Sequence, residues 1–399
     1  MAQERQSAAT RGPVALYVHI PFCCYNCAYC GAFKVSASEV TYDPFLQAVE
    51  REWALVREEE GLDEGVEISA IYVGGGSPSL FGAPRLGRLL EILRGGITWH
   101  ESIELTLESH PASLDGELGG SLQAAGFNRL QVRVESFRDE ELAALVRGHT
   151  GAEASAAVQA VSAAGFPELG LELLYGIPGQ NLDHWTATLK EALRLPCSHL
   201  VITRTTPRDE ALPERLLRGR FGESPLDESL LAQYQAAARR LVEAGFEHYE
   251  IESFARPGSR SRYAELFWDR QRCYGLGPGA HSFDGAVRWR NAADLEIYLA
   301  QLLEVGHRPP RERYRLSPEN AGQEELWLGL RRSEGVTWER LAGFLGEQRI
   351  ALLQRKARLL AAQGFLEFTT DRLRIEPQAY FVAESVVREL IRALEGEPS

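Results

Sequence analysis

The chain has 399 residues, 44% hydrophobic and 25% charged, which suits one large catalytic domain plus a smaller one. A formal net charge of −13 argues against a sequence-independent nucleic-acid binder and a polybasic membrane anchor, both of which need basic surface. No apolar run reaches the ~18 residues of a membrane helix. The polar start MAQERQSAATRG lacks an apolar signal core, so a cytoplasmic protein is expected.

Residues 1–13 read as a disordered leader, and VALYVHI at 14–20 as a strand stopped by Pro21. Helical spacing over 42–60 suggests a helix with Asp43 as N-cap and Pro44 at its first position. A strand over 67–73 runs into Gly74-Gly75-Gly76; a helix over 84–94, a strand over 102–108 and a helix over 114–125 follow. Strands over 128–134, 169–174 and 199–204 alternate with helices flanking Gly148 and over 184–195. Such alternation makes βα units on a parallel sheet. About six units fit between 14 and 250, fewer than a closed eight-fold barrel needs.

The expected fold is therefore α/β, a partial, open (β/α)6 TIM-type barrel over 14–250. An extension over 251–317 would close its active site. The segment 205–230, with Pro207, Pro213 and Pro225, reads as a surface excursion. Helical stretches over 324–332, 338–346, 350–363 and 378–394, with a hairpin over 366–375, suggest a winged-helix-like domain at 318–399.

Cys23, Cys24, Cys27 and Cys30 crowd one loop, whereas Cys197 and Cys273 stand apart. A disulfide framework would be spread out, so metal or redox chemistry is expected. Three of these sulfurs can be read as C-x3-C-x2-C or as C-x2-C-x2-C. The second register is most of a bacterial ferredoxin run, but its fourth ligand position holds Lys34. A closed zinc site needs four ligands. Three thiolates on a [4Fe–4S] cube leave one iron open to a substrate or cofactor.

Five further stretches decide the register: YVHIPFCCYNCAYCGAF, YVGGGSPSLF, LYGIPGQ, HYEIESFARPGSRS and YGLGPGAHSF follow in order, with LWLGLRRSEGV beyond them. Together they resemble the coproporphyrinogen-oxidase-like branch of the radical S-adenosylmethionine (SAM) superfamily. That branch comprises HemN-type oxidases, HemW-type heme chaperones and class C methyltransferases such as the nosiheptide enzyme NosN. The resemblance implies that Cys23, Cys27 and Cys30 hold the cluster, with SAM on the open iron. It further implies SAM contacts from Tyr17, Gly74, Gly75, Gly76, Ser77, Glu108, Glu135, Arg147, Glu172, Tyr175, Gly279 and Ala280. Arg147 would pair with the SAM carboxylate, and a flavodoxin- or ferredoxin-type partner would supply the electron.

Departures from the branch pattern shape the functional expectation. The H-N-x-x-Y-W motif of the chaperones is here Tyr263-Ala-Glu-Leu-Phe-Trp268, without its histidine. The fourth cysteine of the oxidases is Ala32, a usual glutamine is Glu135, and a usual glycine is Arg133. Carboxylates gained at strand ends, Glu135 and Glu252, suit proton handling or a second SAM sulfonium. The expectation is thus a class C methyl- or methylene-transferase using two SAM molecules on an sp2 carbon of a heteroaromatic natural product, free or carrier-bound. Glu135, Glu108 and Glu172 are its candidate bases. A HemW-like heme chaperone and a HemN-like oxidase stand as alternatives.

Overall fold

The computed structural model describes residues 12–25, 27, 29–62, 65–205 and 225–395. Most of the expected leader and of the excursion over 205–230 lies outside the described residues. Six parallel strands stand side by side in chain order: β1 (Val14–Ile20), β2 (Glu67–Gly75), β3 (Thr98–Ser109), β4 (Arg129–Glu135), β5 (Glu168–Tyr175) and β6 (His199–Arg204). Their inter-strand helices cover the outer face, which is why the outward positions of the strands, such as Leu16, Val18, Leu130 and Val132, are apolar and buried. The inner face differs. Tyr17 lies in register with Tyr72, and Arg133 with Glu172, so polar side chains line the lumen.

The sheet is larger than the six units. Strand Arg272–Leu276 adds a further parallel neighbour on the free edge of β1, and antiparallel strands extend both ends into one twelve-stranded sheet. Ser253–Ala255 pairs with β6, while His281–Phe283 and Val287–Asn291 follow Arg272–Leu276.

The first helix, α1 (Glu39–Glu60), corrects the sequence expectation at its start. Ser38 holds the N-cap position, and Pro44 lies inside the helix. The chain turns helical early because the backbone N–H and hydroxyl of Thr41 both reach Ser38 O, at 3.0 and 2.8 Å. The donor that Pro44 lacks would have served the carbonyl of Val40 in the first turn, on a residue 84% exposed. Asp43 caps nothing; it accepts from Arg85 Nε at 2.7 Å.

The C-terminal part is mostly helical: Pro318–Gly329, Trp338–Ala362 and Ala383–Glu395 surround a three-stranded sheet of Val336–Thr337, Leu366–Phe368 and Arg372–Ile375. Gly346, at φ 74°, breaks Trp338–Ala362 into the two expected helices. Among the described residues no helix is long and apolar enough to cross a membrane.

Candidate functional site

The cysteine loop leaves the end of β1, and its first anchor is aromatic. Phe22 is fully buried between Tyr42, Phe45 and Phe81, with ring centroids 4.8, 5.3 and 5.7 Å away. The second anchor is the glycine run at the end of β2. Gly76 N–H donates to Ile20 O and Ser77 N–H to Phe22 O, both at 2.8 Å. A Cβ on Gly76 would stand 2.4 Å from Phe22 O, so only glycine permits this approach. The glycine run and the cysteine loop therefore form one unit.

A cavity at the mouth of the lumen is lined by the cysteine trio Cys23, Cys27 and Cys30, by Gly76 and Ser77, and by Glu108, Arg133 and Arg147. Cys24 is exposed and is not among the lining residues. Cys27 is buried and accepts from Arg147 Nη1 at 3.2 Å, while burial pushes the Cys23 thiol up.

Behind the sulfurs sits a charged knot. Arg147 Nη2 lies 2.9 Å from Glu135 Oε2 and donates to Arg133 O at 2.8 Å; the Tyr29 phenol donates to Glu135 Oε1. Arg133 Nε in turn faces Glu172 at 3.5 Å and Glu135 at 3.9 Å. Burial lifts the Glu135 carboxyl to about 7, against the pull of both arginines. Glu172 is also raised by burial, with Arg133 opposing. Glu135 has φ 63° and Val146, just before Arg147, φ 57°. Left-handed backbone at non-glycine residues is costly, and here it aims the two halves of one ion pair.

The remaining candidates fall around this cavity. Glu108 accepts from Tyr72 OH at 2.7 Å and from Gly75 N–H at 3.1 Å, tying β3 to the glycine run. His19 Nε2 donates to Phe33 O at 2.8 Å, so its Nδ1 accepts from Tyr17 OH at 3.0 Å. Gly279 and the buried Ala280 lie in the loop after Arg272–Leu276, where Gly279 faces Phe33 at the exit of the cysteine loop. Tyr175 turns to the outer face of β5, against Trp185 and Tyr234, with ring centroids 6.0 and 6.1 Å away.

Sequence reasoning passed over Lys34, Ser109 and His110, which also line the cavity. The Tyr25 ring stacks on His110 at 4.0 Å, and burial together with Arg147 lowers His110 to about 2, so it is neutral. Lys34 Nζ, Ser109 Oγ and His110 Nε2 are buried with no hydrogen-bond partner among the described residues. Orphaned polar atoms around three thiols suit a polar, charged occupant. The donor set fits a [4Fe–4S] cluster ligated at three corners, with a cofactor at the fourth.

The comparisons with known proteins agree with that fit. Residues 17–192 match the model of the radical SAM superfamily and residues 316–382 that of the HemN C-terminal domain. The heme chaperone HemW of Mycobacterium tuberculosis is 30% identical over 95% of both chains. The chain belongs to the HemN/HemW-like branch of the radical SAM superfamily. HemW of Bacillus subtilis is 26% identical over 93% of this chain and 97% of its own. The coproporphyrinogen III oxidase HemN of Escherichia coli superimposes with a TM-score of 0.78 at 22% identity, over 95% of this chain and 90% of that one, and so shares the fold. Membership brings a [4Fe–4S] cluster and SAM as the cofactors.

One expectation is overturned. Relatives that match nearly end to end, C-terminal domain included, are named heme chaperones. Neither the class C methyltransferase nor a natural-product acceptor survives that finding. The departures at Glu135 and Glu252 were the basis for methyl transfer, yet both carboxylates are engaged by arginines of the chain itself, Arg147 and Arg331.

Proposed function

We propose that this is a HemW-type radical SAM protein that carries heme as cargo, in the cytoplasm, beside its cluster and one SAM. The observation that carries the reading is the 30% identity to a heme chaperone spanning 95% of both chains. In this reading Cys23, Cys27 and Cys30 ligate the cluster, and Gly74–Gly76 with Ser77 supply the backbone edge for SAM. Glu108 offers its carboxylate to a cationic amine, and the Tyr29–Glu135–Arg147 knot fixes the wall behind the sulfurs. When bound, the cluster supplies one electron from a flavodoxin- or ferredoxin-type donor to SAM. The second SAM loses its basis along with methyl transfer.

Anaerobic titration of the cluster-loaded protein with ferric heme tests the proposal. Saturable one-to-one uptake, followed by release to an apo-hemoprotein acceptor, is expected. Absence of uptake at heme concentrations well above that of the protein rejects it.

A further inference from the structure

The cavity around the cysteine trio is lined by three basic side chains, Lys34, Arg133 and Arg147. Two of them are committed within the chain. Arg147 spends both terminal nitrogens, Nη1 on Cys27 Sγ at 3.2 Å and Nη2 on Glu135 Oε2 at 2.9 Å and Arg133 O at 2.8 Å. Of its nitrogens, Nε alone lacks a hydrogen-bond partner among the described residues, and its charge already faces buried Glu135. Arg133 stands between Glu172 and Glu135, at 3.5 and 3.9 Å. His110 brings no charge: its Nδ1 accepts from Ala112 N–H at 3.1 Å, so the neutral ring carries its proton on Nε2.

Lys34 is different. Its Nζ is buried, with no hydrogen-bond or ion-pair partner among the described residues. A surface lysine ordinarily buries its stem and keeps its nitrogen in water. Here the residue retains some exposure while its nitrogen is out of water, so the ammonium is turned into the protein. The backbone on either side is pinned: Phe33 O accepts from His19 Nε2 at 2.8 Å, and Val35 N–H donates to Pro21 O at 2.9 Å. Val35 and Ser36 run in register with Phe22 and Cys23, which holds Lys34 beside the first sulfur. Burial pushes the Cys23 thiol up, and the nearby Lys34 charge pulls against it.

A buried ammonium without a counter-charge is costly, and in a cavity it calls for an anion. Glu108 brings the opposite sign to the same cavity. Its carboxylate accepts from Tyr72 OH and Gly75 N–H but has no ion-pair partner among the described residues. An uncommitted ammonium and an uncommitted carboxylate together suit the amino-acid end of a ligand, and the methionine part of SAM is such an end.

We propose that Lys34 Nζ, and not Arg147, binds the carboxylate of SAM, with Glu108 at its amine. Arg147 then serves the Cys27 sulfur instead. The inference rests on the placing of cluster and SAM in this cavity, and not on heme as cargo.

The test uses the full cluster-loaded chain under anaerobic conditions. Its probes are SAM and decarboxylated SAM, which keeps the amine and lacks the carboxylate. Affinity is read by equilibrium dialysis and by the change each probe makes in the EPR spectrum of the reduced cluster. Lys34→Met should bind SAM about tenfold more weakly, as befits one lost hydrogen bond between charged groups, yet bind decarboxylated SAM no more weakly than wild type does. Lys34→Arg should recover most of the affinity for SAM, and both variants should match wild type in iron and sulfide content. Equal SAM affinity in Lys34→Met and wild type, or an equal loss for both probes, overturns the inference and leaves the cofactor site standing. Loss of iron from Lys34→Met also overturns it, because the lysine then supports the cluster itself. If wild type binds no SAM, the cofactor site falls and the inference with it.

Discussion

Glu135 shows how one residue combines strain, burial and charge. Its carboxyl is fully buried and its φ is 63°, and it is bound by Arg147 and by Tyr29 from a distant part of the chain. Because burial raises its folded pKa from 4.5 to about 7, it contributes stability below pH ~4.5 that is lost as pH rises through 7. The full swing is on the order of 3 kcal/mol, at about 1.4 kcal/mol per unit. In cluster-free protein, denaturant titrations of wild type and Glu135→Gln should diverge: the wild-type advantage is largest near pH 5 and shrinks toward pH 8. A difference independent of pH refutes this. The cysteines offer a sharper contrast. Cys23→Ala should abolish iron and sulfide retention after anaerobic reconstitution, whereas exposed Cys24→Ala should keep both. The cysteine loop and the glycine run were legible in the sequence because they are local, whereas the choice among the four sulfurs came only from the resemblance, since spacing left two registers open. The Tyr29–Glu135 contact was not, because 106 positions separate its partners and only the fold brings them together.

At the scale of elements, strand and helix order was readable from apolar periodicity, but the start of α1 was not. Asp43-Pro44 is a strong local start signal, and it lost to the turn that Thr41 closes on Ser38 O, which sets Tyr42 against Phe22. The same helix carries a second feature invisible to periodicity. Glu52, fully buried, accepts from Gly277 N–H at 2.8 Å, from Asn291 Nδ2 at 2.7 Å and from Tyr298 OH at 2.7 Å. It thereby fastens the loop after Arg272–Leu276, whose Gly277 at φ 101° lies so close to His19 that a Cβ would stand 2.4 Å from His19 O. Glu52→Ala would strand three buried donors, each worth about 1–3 kcal/mol. A loss of about 3 kcal/mol or more in urea unfolding is expected, with Glu52→Gln milder because it keeps one acceptor. Equal stability of Glu52→Ala and wild type rules out the clamp.

Across the whole molecule, the branch motifs identified cofactors and fold because every member shares them, but they say little about cargo. Reading cargo from single departures failed; similarity spread over 95% of the chain, C-terminal domain included, outweighed them. That domain shares an apolar core with the barrel and is tied to it by several arginines. Arg331 spans the joint: its Nη2 lies 2.7 Å from Glu250 Oε1 and 3.1 Å from Glu252 Oε2, and its carbonyl accepts from Ile251 N–H at 3.0 Å. Glu250 is 1% exposed; its Oε2 still accepts from Glu252 N–H and Ser253 Oγ, but removing Arg331 leaves the buried carboxylate without a counter-charge, at about 3–5 kcal/mol. Because the lost contact lies between the two parts, the penalty should fall on their coupling. Wild type should unfold in one transition followed equally by circular dichroism and by fluorescence, to which Trp327 and Trp338 contribute from the C-terminal domain. Arg331→Ala should split it, with the fluorescence change preceding loss of barrel secondary structure. Arg349→Ala, which breaks an ion pair with Glu319 inside the C-terminal domain, should leave a single transition. A single, unshifted transition in Arg331→Ala would mean that the joint does not depend on this arginine.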